Sequence, residues 1–580
     1  MGELSRTSLS IPAGTSQVVN GSVQLTNPRL WGPPPTQSPN LYVAVTRVYS
    51  DNATLDVYET RFGIRTVEYN PNSGLWVNGE QIRIQGVNMH HDQGSLGAAF
   101  HVASAKRQMD YMQEMGFNAL RTSHNPPAPE LLDMLDERGV LVLDEIFDCW
   151  ENGKNTNDFH LIFNDWHEAD IRAFLRRDRN RPSVIIWSIG NEVREQNSDR
   201  GTAIAKELKS YVNEEDGTRP IVSGMDQASA SSGFAATIDL VGVNYRGEYS
   251  PSEYANMHRV HPNKMVFASE SASCVSSRGT YLFPVTSANT AKVNSSSGGD
   301  YTNHWVSAYD LYAPSWATSP DRVFEAQDTY NYVAGEFVWT GWDYIGEPTP
   351  FASVARSSYF GIVDLAGFRK DRFYLYQSRW RPDLKVAHLL PHWTWPSNRV
   401  GQVTPVHLFT NADEGELFLN GISQGRKKRA PSTYRIRWDN ITYQAGELLA
   451  VTYKDGQPHA QDTVRTAGTA TQLKLIPDRT SILADGADLS FVSLGVHDGN
   501  GTLVPEASNA ITFSISGPGD ILSTDNGNPM DMTPFPSLKR DAFSGRALAI
   551  VRAKIGSSGA ITVTASATGL TSASVVLTAR

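Results

Sequence analysis

Four apolar runs in this sequence stop on acids. "VIIWSIGNE" ends at Glu192, "VLVLDE" at Asp144 and Glu145, "MVFASE" at Glu270, and "FVWTGWD" at Trp342 and Asp343. A single acid at a strand end is ordinary, a salt-bridge partner or a helix cap. Four such endings, with His90, His91 and His124 at other strand ends, ask for a common cause. Two carboxylates at one place suit one chemistry in particular. An acid protonates a departing sugar oxygen while a carboxylate meets the positive anomeric carbon, and a separation of ~5–5.5 Å makes the second a nucleophile with retained configuration.

Such convergence needs a fold that gathers strand ends. From Gln81 the chain alternates strand and helix: "QIRIQGVNM", "NALRTS", "VLVLDEIF", "SVIIWSIGNE", "PIVSG", "LVGVNY", "MVFASE" and "YVAGEFVWTGWDY" read as eight strands. Helical stretches such as "ASAKRQMDYMQEMG" and "PELLDMLDERG" stop at glycines. Continuous apolar strands joined by helices mean a parallel sheet covered on both faces. Eight of them fit a (β/α)8 TIM barrel, whose chemistry sits at the C-terminal strand ends. Glu192 and Glu270 close the fourth and seventh strands. The long segment around 280–330 is expected to be a lid or binding wall.

The flanks read differently. Residues 1–78 alternate in period two between turn signals and are expected to form a β-sandwich. Helical pattern ends near Pro382, and 386–467 and 468–580 carry hairpin cues such as "DGNG". The expected order is immunoglobulin-like sandwich (1–78), barrel (79–385), sandwich (386–467) and immunoglobulin-like sandwich (468–580). The aromatics of "HWTWP" would serve either structure or polysaccharide binding, with structure favoured.

Composition closes other routes. The 580-residue chain has net charge −10 and no broad basic stripe, which argues against nucleic acid as partner. "GRKKRAP" is expected to be a solvated turn. Two cysteines, Cys149 and Cys274, exclude a disulfide framework and a four-cysteine metal site, and both are expected to be buried as small hydrophobes. No apolar run is long enough to span a membrane. Five glycosylation sequons, at Asn20, Asn52, Asn294, Asn440 and Asn500, permit secretion without requiring it. Localisation stays open: secreted if the full-length chain carries a leader, otherwise cytoplasmic. A homo-oligomer is possible.

The stretches "RIQGVNMHHDQGSLGAA", "MGFNALRTSHNPPAPELLDMLDERGVLVLDE", "RDRNRPSVIIWSIGNE", "LVGVNYR", "FASESAS" and "GEFVWTGWDYIGEPTP" strongly resemble glycoside hydrolase family two, over nearly the whole chain. The resemblance implies retaining hydrolysis through a covalent glycosyl-enzyme, with Glu192 as general acid/base and Glu270 as nucleophile. It implies that Tyr245 hydrogen-bonds the nucleophile and that Asn191 contacts the sugar 2-hydroxyl. Arg121, at a strand end, is the expected cation beside Glu270. Burial and the charge of Glu270 should raise the pKa of Glu192.

"FDCWENGK", "SESASCVSSRG" and "WTGWDYIGEPTP" resemble the β-galactosidase branch, which implies terminal β-D-galactosyl residues as substrate. Candidate sugar contacts are His90, Asp92, His124, Asp148, Trp339 and Asp343. Trp342 either stacks on the sugar or packs the barrel top. Family glucuronidases clamp the substrate carboxylate with an Asn-x-Lys pair after the last strand, where this chain reads "SYFGIVDLAGFRK"; the "NGK" at 152–154 follows the third strand and is discounted. The same mechanism on a β-glucuronide, β-mannoside, arabinopyranoside or galactofuranoside remains the rival, as does a silent carbohydrate-binding protein. "DEIFDCWENG" lacks the Glu and His that hold magnesium in some relatives, so no metal or other cofactor is expected. The resemblance also implies a sugar-binding-like sandwich ahead of the first domain, which these 580 residues are not expected to include.

Overall fold

The computed structural model describes residues 7–50, 53–249 and 252–580. The sequon at Asn52 lies outside them. Eight parallel strands close into a barrel: Ile84–Met89, Ala119–Thr122, Leu141–Glu145, Val184–Asn191, Ile221–Met225, Val241–Asn244, Val266–Ala272 and Gly335–Trp339, each paired with its sequence neighbour and the eighth with the first. They match the eight apolar runs one for one. The fourth strand is buried along all of its length, because helices cover its outer face and neighbouring strands fill the interior. The glycines after the first two helices do what their type allows. Gly116 and Gly139 close Val102–Met115 and Pro129–Arg138 in the left-handed conformation.

Tyr42–Ser50 and Ala53–Phe62 form a two-stranded antiparallel sheet, and Val67–Asn70, Gly74–Val77 and Glu80–Ile82 a separate three-stranded one. Val45, Leu55 and Tyr58 of the first sheet are 47%, 66% and 67% exposed, since no second sheet faces it among the described residues. Period-two alternation marked strands here but not a partner for their apolar face. The three-stranded sheet instead serves the barrel: Leu75 and Val77 join Trp31 against Ile84, Leu141, Ile185 and Phe267 and seal the N-terminal end.

Downstream, a three-stranded and a four-stranded sheet drawn from 387–465 enclose a core that includes Trp393, Leu417 and Trp438. A four- and a five-stranded sheet follow from 470–579. "GRKKRAP" begins on an exposed strand, Ile422–Lys428, rather than in a turn. The segment around 280–330 is no free lid. Tyr309, Leu311 and Tyr312 are fully buried, the Tyr309 hydroxyl donates to the Pro405 carbonyl, and Arg435 pairs with Asp321, so the segment wedges the barrel against the next sandwich.

Candidate active site

Arg121, at the end of the second strand, is fully buried and organises the C-terminal rim. Its Nη1 donates to Glu270 Oε1 at 2.7 Å and to Asn88 Oδ1 at 2.9 Å. Its Nη2 donates to Glu145 Oε2 and Asn191 Oδ1, both at 2.8 Å. Burial alone would lower the guanidinium pKa, but the charges of Glu145 and Glu270 outweigh it and hold the group ionised. Glu145 is likewise buried, yet Arg121 and the His124 hydrogen bond bring its pKa down to about 2. One cation thus ties strands one, two, three, four and seven together.

The two candidate carboxylates have unlike surroundings. Glu270 is 3% exposed; Arg121 binds one oxygen, and the Tyr245 hydroxyl donates to the other at 2.6 Å. Glu192 is half-buried, and Asn244 Nδ2 donates to its Oε1 at 2.9 Å. Among the described residues no cation bonds Glu192. Burial first, then the charge of Glu270, pushes its pKa up to about 8. Glu192 and Tyr245 both sit at positive φ, 44° and 59°, where the chain turns off a strand end and aims a side chain over the barrel.

The remaining candidates divide. Asn191 bridges the rim, with Nδ2 3.3 Å from Asp148 Oδ1 and from His124 Nε2. His124 stacks on Trp339 with ring centroids 5.3 Å apart. His90 meets both edge-on, and burial, aided by His124, lowers its pKa to about 3, leaving a neutral ring. Asp92 accepts from the N–H groups of Gly94 and Ile345, and burial raises its pKa to about 6. These residues share one rim. Asp343 and Trp342 do not offer themselves to it. Asp343 is 2% exposed and spends its oxygens on Gly361 N–H, the Ser358 hydroxyl and the Lys370 ammonium. Trp342 stacks on Tyr111 at 5.8 Å and donates to the Leu365 carbonyl, so it packs the barrel top.

Sequence reasoning missed several groups. Tyr344 joins the aromatic cluster of the rim: its ring centroid lies 4.2 Å from that of His90, and its hydroxyl donates to Glu347. Asn244 precedes Tyr245 in "VNYR" and was passed over for it. Lys154, discounted on strand position, lies at the rim, with Nζ 2.7 Å from Asp148 Oδ1 and its pKa raised by Asp148, Glu192 and Glu270 against the effect of burial. Cys149 and Cys274 are buried free thiols, and burial pushes them up to about 11 and about 12, far from reactivity at neutral pH. Among the described residues no group of three or more His, Cys, Asp or Glu is placed to hold a metal ion, and no helix is long and apolar enough to cross a membrane.

Comparison with known proteins gives four matched regions. Residues 71–352 match the TIM barrel domain of the glycosyl hydrolases family 2, residues 3–65 match glycosyl hydrolases family 2, and residues 473–576 match the glycoside hydrolase family 2 C-terminal domain 5. Residues 401–460 match a domain of unknown function. Beta-galactosidase BoGH2A of Bacteroides ovatus is 38% identical over 97% of this chain and 69% of its own length. A putative beta-glucuronidase of Formosa agariphila is 33% identical over 93% of this chain and 52% of its own length. A crystal structure of a beta-glycosidase from Bacteroides vulgatus superposes with TM-score 0.85 at 30% identity, covering 96% of this chain and 71% of that one.

Proposed function

Because the chain belongs to glycoside hydrolase family 2 and is a glycosidase, we propose that it removes terminal β-D-galactosyl residues with retention of configuration. The observation that carries this reading is the asymmetry of the two carboxylates. Glu270 is bound by a guanidinium and a phenol, which suits an ionised nucleophile. Glu192 has its pKa raised to about 8, which suits an acid that still holds its proton at neutral pH. In the first step the Glu270 carboxylate attacks the anomeric carbon. The glycosidic C–O bond breaks, and Glu192 gives its proton to the departing oxygen. In the second, Glu192 takes a proton from water, the water oxygen attacks the anomeric carbon, and Glu270 leaves. Tyr245 and Arg121 stabilise Glu270 as it is released, and Asn191 stands where it can meet a sugar hydroxyl. His90, Asp92, His124, Asp148 and Trp339 form the wall against which the sugar would lie.

The named β-galactosidase relative supports the galactosyl assignment. One observation favours a second reading, a β-glucuronide: Lys154 is a cation at the rim, and relatives named beta-glucuronidase exist. Its pairing with Asp148 neutralises it and favours the galactoside. Hydrolysis of nitrophenyl β-galactoside, β-glucuronide, β-mannoside and related glycosides tests both. We expect galactoside turnover that vanishes in Glu270→Gln, with the β-anomer as first product by NMR. Faster cleavage of the glucuronide, slowed in Lys154→Met, would select the second reading. No turnover on any glycoside by folded protein would refute both.

A further inference from the structure

Behind the seventh strand lies a carboxylate that the reaction above does not use. Glu248 sits on the single helical turn Arg246–Tyr249 that follows the sixth strand and Tyr245. It is 1% exposed. The N–H of Ala272 donates to both of its oxygens, at 2.9 and 3.0 Å, and the Thr318 hydroxyl donates to Oε2 at 2.7 Å. The Thr318 N–H donates in turn to the Ala272 carbonyl at 2.9 Å, so both backbone polar groups of Ala272 are engaged.

Ala272 and Ser273 are consecutive non-glycine residues in the left-handed region, at φ 61° and 55°. Each such residue costs about 1–2 kcal/mol, so surrounding contacts must hold the bend. The bend begins two residues after Glu270. Strand alternation turns Glu270 inward and Ser271 outward, where its hydroxyl donates to the buried Glu336 at 2.6 Å. The sixth and seventh strand ends are therefore tied on both sides. In front, the Tyr245 hydroxyl bonds Glu270, the Tyr245 N–H donates to the Glu270 carbonyl, and the Ser273 hydroxyl donates to the Tyr245 hydroxyl. Behind, Glu248 bonds Ala272. Packing alone does not explain Glu248, because burying a carboxyl group costs more than burying an apolar side chain that fills the same space. Burial pushes its pKa up to about 8 despite the Thr318 and Ala272 donors.

We propose that Glu248 is a positioning residue for the nucleophile: by holding the Ala272 N–H and the Thr318 hydroxyl it maintains the left-handed bend that sets the reach of Glu270. This rests on the reading of Glu270 as nucleophile.

The test is the rate at which the 2-deoxy-2-fluoro glycosyl fluoride of the sugar that the enzyme turns over inactivates it, with the adduct located by mass spectrometry. In this reaction the Glu270 carboxylate attacks the anomeric carbon and fluoride leaves without a proton from Glu192, so the rate reports the attack of Glu270 apart from acid catalysis. Glu248→Ala should be labelled at Glu270 about 100-fold more slowly, the loss expected for a misplacement near 1 Å. kcat should fall while KM stays near the wild-type value. Glu248→Gln, which keeps an oxygen for both donors, should recover most of the rate. If Glu248→Ala does not fold, Glu248→Asp withdraws the carboxylate by one methylene and should also label slowly. Wild-type labelling rates in a folded Ala or Asp variant would overturn the inference. Wild-type protein that turns over a glycoside but is labelled at a residue other than Glu270 would instead remove the nucleophile reading, and this inference with it.

Discussion

The same eight strands end in two different ways. At their N-terminal end Trp31, Leu75 and Val77 cap Ile84, Leu141, Ile185 and Phe267 in an apolar plug. At their C-terminal end Arg121, Glu145 and Glu270 are almost as completely buried, but they are charged. The plug gains from burial without conditions, because apolar area removed from water stabilises wherever it is packed. The rim is tolerable only as a set: each charge is offset by a partner, and deleting one leaves another stranded. The contrast separates residues that hold the barrel together from residues that hold a charge distribution ready for a substrate.

The strongest way to break the rim is at its unpaired member. Glu192→Gln should lower kcat/KM by about 10²–10⁴-fold on substrates with poor leaving groups, and less on nitrophenyl glycosides, whose leaving oxygen needs little protonation. The same residue sets a pH limb. Glu192 must begin protonated, so kcat/KM of the wild type should decline as pH rises through about 8, and Glu192→Gln should lose that limb. A pH profile with no alkaline decline would contradict the assignment. Next comes Arg121→Met, which strands Glu145 and Glu270 together. Denaturant unfolding should show a loss of about 3–5 kcal/mol, accompanied by loss of turnover. Smallest for catalysis is Leu75→Ala in the plug. Its stability cost should be about 2–5 kcal/mol, with kcat per folded molecule unchanged. A large change in kcat there would mean that the two ends are coupled.

Periodicity exposed the barrel because its strands are buried on both faces, and burial writes itself into sequence as unbroken apolar runs. The acids that end those runs stood out by contrast, which singled out Glu192 and Glu270, while Arg121 drew notice as a cation at a strand end. The N-terminal hairpin was legible as strands, since alternation records a face, though not what covers it. Asp343 and Trp342 look the same in sequence as residues that face a pocket. Only the tertiary structure turns one toward Lys370 and the other toward Tyr111. Lys154 and Glu248 escaped for the opposite reason: each follows a strand in a loop or a single turn, where no period points the side chain. Residue type and strand spacing thus determined which chemistry this chain can carry. The unlike surroundings of Glu192 and Glu270 depended on burial and on charges brought together across long separations in sequence, and folding alone sets those.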